Sequence, residues 1–132
     1  MNRAQRHLLL TLADRYETAS FIEGDPSWFM HQVSDPLDQE TTAFLAMCLS
    51  YGSRQQFLPK IEQLMTTAQW HPYDWIANGK FEHTIAPSSQ CFYRLYTFAD
   101  IHALLTALRD LLRSYGTLGR FAQTAAEEAD KK

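Results

Sequence analysis

Seven consecutive apolar residues, Ala43 to Leu49, sit between a helix start at Asp35-Pro36 and a glycine at Gly52. A helix through that run has no polar stripe, so in water it must be surrounded on nearly all sides. Asp35 suits the N-cap, Pro36 the first helical position, and Asp38 and Glu40 the positive end of the dipole. The spacing therefore predicts a central helix from Pro36 to Tyr51, around which the rest of the chain packs. With 132 residues, 45% of them apolar, the chain can bury such a core as one domain over 1–132. Its 5 glycines and 5 prolines are few, which disfavours many-turned β folds.

Other segments carry the 3.6-residue period. Leu8, Leu9, Leu12, Ala13 and Tyr16 form one face of a helix from Arg3 to Glu17. After Gly52 in a left-handed C′ position, Ser53 caps a third helix with Phe57, Leu58, Ile61, Leu64, Met65 and Ala68 on one side. Pro59 within it predicts a kink or a late start. Thr97-x-x-Asp100 opens the longest helix, lined by Ile101, Leu104, Leu105, Leu108, Leu111, Leu112 and Tyr115. Gly116 ends it, and Thr117 caps a last helix from Leu118 to about Ala129 with a fraying tail.

Between these lie weaker signals. Thr18 to Ser34, with Phe21, Ile22, Trp28, Phe29, Met30 and Val33, reads as an ordered loop packed on the body. Tyr73 to Ala77 predicts a short helix closed by Asn78-Gly79. Lys80 to Ser89 has no period, and Ser88 or Ser89 is expected to cap a short helix through Tyr96. The fold class is thus all-α, a compact irregular domain of about five to seven helices around a buried central one.

Chemistry is scarce. The 5 histidines include no i, i+4 pair, the glycines form no phosphate loop, and the 2 cysteines have no paired spacing. Cys48 falls on the helix predicted to be buried, where a thiol is unreactive. No metal and no cofactor is implied. Lysines and arginines number 12 against 15 acids, a net charge of −3, so strong sequence-independent DNA binding is disfavoured. No stretch has the length of a membrane span and no signal peptide is evident, which makes the cytoplasm the expected location.

The best candidate site is Tyr51-Gly52-Ser53-Arg54. There a helix N-terminus, an arginine in its first turn and a tyrosine offer N–H donors, charge and a stacking face to a phosphate or base. Arg54 at a helix start calls for a nearby anion, with Asp35 and Glu40 the candidates. Asp35, Asp38 and Glu40 form a weaker acidic cluster whose plain role is capping. Tyr93 and Arg94, inside the aromatic run Phe92 to Phe98, are either a stacking site or core. His102, Arg109 and Arg113 make a weak basic stripe on a solvated face. Ser50-Tyr51-Gly52-Ser53 and Ser114-Tyr115-Gly116-Thr117 echo each other through shared helix-ending chemistry.

The ordered run Asp25-Pro26, Phe29 to His31, Ser34-Asp35-Pro36-x-Asp38-x-Glu40, Ala43-Phe44 to Tyr51-Gly52-x-Arg54-x-Gln56, then Phe92-Tyr93-Arg94 and Ser114-Tyr115-Gly116-x-Leu118 resembles an uncharacterised bacterial family, a domain of unknown function. Asp38-x-Glu40 followed by Tyr51-Gly52-x-Arg54 is the most specific part. Members of that family are longer, and their second halves contain a proline-leucine-aspartate-threonine-histidine stretch similar to one in helix-hairpin-helix DNA glycosylases. Phe44 to Leu64 also looks like the first helix pair of those enzymes, whose turn approaches DNA. The resemblance implies an N-terminal half without the catalytic aspartate, contacting nucleic acid through Tyr51 to Arg54. The alternative is a helical interaction module whose partner is its missing C-terminal half or a second copy.

Overall fold

The computed structural model describes residues 1–16 and 22–132. Among the described residues the elements follow in the order α1 (Arg3–Tyr16), a 3-10 segment (Pro26–Gln32), α2 (Pro36–Leu49), α3 (Arg54–Thr67), α4 (Pro72–Ala77), a second 3-10 segment (Lys80–His83), β1 (Cys91–Tyr93), β2 (Tyr96–Thr97), α5 (Phe98–Tyr115) and α6 (Leu118–Asp130). The fold is all-α with one two-stranded antiparallel ribbon. Glu17 to Phe21, including the expected end of the first helix and Phe21, lie outside the described residues.

Helix α2 is the hub. It packs against the first 3-10 segment, α3 and α4, and its Thr41, Thr42, Leu45, Ala46 and Leu49 are buried. Ile61, Leu64 and Met65 of α3, Ile76 of α4, Phe81 of the second 3-10 segment, Phe92 of β1 and Leu105 of α5 join it in the core. The encirclement is less than the sequence implied, because Met47 is 65% exposed and Cys48 is half-buried. An unbroken apolar run does not fix how many neighbours arrive, and one face of α2 is left to solvent. Burial still pushes the Cys48 thiol up from its ordinary pKa.

Several local expectations are corrected. Pro26–Gln32, within the stretch expected to be an ordered loop, packs on the body as a 3-10 helix, started by Asp25, whose carboxylate accepts the Ser27 N–H, and anchored by buried Phe29. Helix α3 starts at Arg54 and runs through Pro59 without a late start. Pro59 faces solvent, as does Gln55, the residue one turn back whose carbonyl loses its partner, so the missing bond falls on the exposed side of the helix. Cys91 to Thr97 forms the hairpin in place of a helix through Tyr96. Helix α6 has its expected span, Leu118–Asp130, with Lys131 as C-cap.

The long-helix reading holds. Thr97 and Asp100 form a complete capping box, and Ile101, Leu105, Leu108 and Leu112 are buried on one face of α5. Gly79, at φ 70, follows α4 where the sequence placed a helix stop. Among the described residues no helix is long and apolar enough to cross a membrane.

Candidate functional site

The α2–α3 connection is a tight bend. Ser50 caps α2, the Tyr51 N–H donates to the Leu49 carbonyl at 2.8 Å, and Gly52 sits at φ 85. Two sequence expectations fail here. Tyr51 lies beyond the end of α2, and the Ser53 hydroxyl makes no cap bond although Ser53 occupies the N-cap position of α3. The Ser53 carbonyl accepts from Gln56 and Phe57, while the N–H groups of Arg54 and Gln55 have no acceptor among the described residues. This N-terminus is uncapped, with its positive dipole end open to solvent. The C-terminal echo differs, since Gly116 directly caps α5 and the Thr117 hydroxyl accepts from the Arg120 N–H at 3.0 Å.

Tyr93 and Arg94, drawn from a separate part of the sequence, meet this bend. The Tyr93 hydroxyl donates to the Tyr51 carbonyl, and the Tyr51 hydroxyl donates to the Tyr93 carbonyl at 3.4 Å. Tyr51 is therefore a pillar rather than a free stacking face: its ring meets Tyr93 at 5.0 Å, Tyr96 at 5.6 Å and the Arg94 guanidinium at 5.5 Å. Tyr93 is core, as its plain reading held, whereas Arg94 is exposed at φ 50 in the hairpin turn. Gly52 is required twice over. Its φ is left-handed, and a Cβ there would meet the Arg94 guanidinium and lie 2.8 Å from the Tyr93 hydroxyl.

A groove of about 450 Å³ runs beside this contact, lined by Gln56, Lys60, Cys91, Phe92, Tyr93 and Arg94. It holds two cations and no carboxylate. Lys60 lies over the Phe92 ring at 5.1 Å, and Arg94 has no ion-pair partner among the described residues. Sequence reading missed Gln56 and Lys60, although their i, i+4 spacing on α3 places them on one face. Arg54 pairs instead with Asp25, at 3.7 Å, and neither Asp35 nor Glu40 is its anion. Hydrogen bonds from the Ser27 side chain and N–H hold the Asp25 carboxyl below the usual carboxylate range, with Arg54 a smaller cause.

The acidic cluster disperses into three caps. Asp35 accepts the Leu37 and Asp38 N–H groups at 2.8 and 3.3 Å and opens α2. Asp38, only 7% exposed, accepts the Tyr73 N–H at 3.0 Å in the first turn of α4 and faces His71 Nδ1 at 3.3 Å. Glu40 reaches α6, where its two oxygens accept the Leu118 and Gly119 N–H groups at 2.7 and 3.2 Å. Three carboxylates in one turn thus tie three helix N-termini together. The nearby cleft of about 570 Å³ is lined by Asp35, Asp38, His71, Asp74 and Lys80, and Lys80 is paired with Asp74. Its excess of carboxylates disfavours a phosphate there.

On α5, Arg109 pairs with Glu82 at 2.6 Å, and Arg113 donates to the Ala77 carbonyl at 2.9 Å, so the basic stripe serves packing. No curated protein and no solved structure matches the chain. One family, described as a protein of unknown function (DUF2400), matches residues 25–132, from the Asp25 cap through the whole of α6. That stretch contains the three carboxylate caps and both halves of the Tyr51–Arg94 contact, and α1 lies outside it. The chain belongs to the DUF2400 family of proteins of unknown function.

Proposed function

We propose that this chain is a non-catalytic helical module of a glycosylase-like bacterial protein of the cytoplasm, and that it contacts nucleic acid through the groove between α3 and the hairpin. One observation carries the reading: Arg94 converges on Gly52 from a segment 42 residues away, beside Lys60 and the uncapped start of α3. Charge and dipole there favour the same anion. Phosphates are the expected contact, because the Tyr51 ring is already covered by its neighbours. Binding should then be insensitive to base sequence and steeply sensitive to salt. Catalysis is left to the longer second half that the family resemblance implies.

The test is fluorescence anisotropy of a labelled single strand and a labelled duplex across a salt series. Wild type should bind at low salt, and Arg94→Ala should lower the salt slope by about 0.7 on the single strand and about 0.9 on the duplex. No binding at low salt, or equal slopes for both proteins, would refute the reading.

A second reading, a helical interaction module whose partner is its C-terminal half or a second copy, is favoured by α1. That helix buries no residue and exposes Leu8, Leu9 and Leu12.

A further inference from the structure

The leucine ridge of α1 has a complementary surface elsewhere on the chain. A groove of about 440 Å³ lies between the C-terminal part of α2, the hairpin and α5, lined by Cys48, Leu49, Leu95, Tyr96, Ile101 and Leu104, with Asp100 its one charged residue. Leu95 on its rim is 88% exposed, and neighbouring Met47 is exposed as well. Within one chain α1 does not fill this groove, since its Leu8 and Leu9 are 58% and 54% exposed. Ridge and groove are left open together.

Charge matches them. Arg3, Arg6 and Arg15 against Asp14 give α1 a charge of +2, which leaves −5 on the rest of a chain whose total is −3. A basic helix with an apolar ridge thus complements an apolar groove whose one charged side chain is the Asp100 carboxylate. We infer that α1 of one copy docks into the Cys48–Leu95–Leu104 groove of a second copy, and that the exchange is reciprocal. A reciprocal exchange closes the assembly as a twofold dimer, whereas one-way docking would leave a ridge and a groove open at the ends. The mode is that of an amphipathic helix laid in a groove, read through anchors at i, i+1 and i+4. The inference rests on the interaction-module reading and specifies its partner; it is independent of nucleic-acid binding.

Cys48 lines the groove and is half-buried, which supplies a reporter. In the full chain carrying Cys91→Ser and Leu9→Cys, mild oxidation should yield a disulfide-linked dimer through Cys48. Sedimentation velocity on the unmodified chain should give the mass of two copies. Leu95→Glu, at an exposed position that leaves the core alone, should shift the population toward one copy by at least tenfold in dissociation constant, with unchanged helical circular dichroism. A chain that stays monomeric at every concentration overturns both the inference and the self-association reading. A dimer indifferent to Leu95→Glu and without the cross-link overturns only the docking mode. A cross-link at monomer mass overturns the second copy as occupant, in favour of the chain's own α1.

Discussion

Glu40 on α2 holds the start of α6 across 78 residues of sequence, so its removal tests whether the acidic turn is a capping device. Each carboxylate oxygen takes one N–H, at 2.7 and 3.2 Å, and the charge faces a helix N-terminus. Deleting an N-cap side chain costs about 0.5–2 kcal/mol. Glu40 accepts two such N–H groups, which raises the cost, and is half-buried, so water reaching the vacated groups keeps it within that range, at about 1.5 kcal/mol for Glu40→Ala. That corresponds to roughly 5 °C in melting temperature for a chain of this size. Gly119 sharpens the test. A Cβ on it would lie 3.1 Å from Glu40 Oε2, so Gly119→Ala must shift that cap oxygen by a few tenths of an ångström in the native background. Without Glu40 the same change should gain about 0.4–1 kcal/mol, because the unfolded chain has less freedom to lose. Urea unfolding of the four proteins in this double-mutant cycle supplies the comparison. An equal effect of Gly119→Ala in both backgrounds, or no loss from Glu40→Ala, would refute the argument.

Gly116→Ala should cost about 1–2 kcal/mol from its left-handed φ alone, since nothing lies near the added Cβ, whereas Gly52→Ala should cost more because it meets Tyr93 and Arg94. Urea midpoints that rank the two the other way would contradict this placement of the hairpin. Asp35→Ala should destabilise by about 1 kcal/mol, read from the same unfolding curves. Asp25 has a folded pKa below its unfolded value of about 3.9, so its contribution is complete above that value and is lost as pH falls through the folded pKa. Melting temperatures from about pH 2 to 6 should therefore fall less steeply for Asp25→Asn than for wild type. Parallel curves would remove Asp25 from the acid limb.

Legibility in the sequence followed locality. The face of α5 and its capping box are properties of residues a turn apart, and they stood in the sequence as they stand in the fold. The hairpin did not, because β1 and β2 are too short for an alternating pattern and no glycine or asparagine marks their turn, where Arg94 itself takes φ 50. Asp38 and Glu40 looked like dipole-matching acids, and their partners on α4 and α6 are set by tertiary packing that no spacing rule supplies. For the candidate site, the bend at Gly52 was legible and the anion of Arg54 was not, since Asp25 caps a 3-10 segment whose local pattern reads only as an ordered loop. Tyr93-Arg94 was visible as a motif, but its approach to Gly52 was not.

A polyanion bound as proposed settles against the Gly52 bend and the Lys60–Arg94 groove. Titrating isotopically labelled full chain with a short single-stranded DNA at low salt, followed by amide chemical shifts, locates any contact residue by residue. Shifts should concentrate at Gly52, Ser53, Arg54, Gln56, Lys60 and Arg94 and vanish as salt is raised. Shifts confined to α1 or to the acidic His71–Lys80 cleft, or no shifts at all, would contradict that binding.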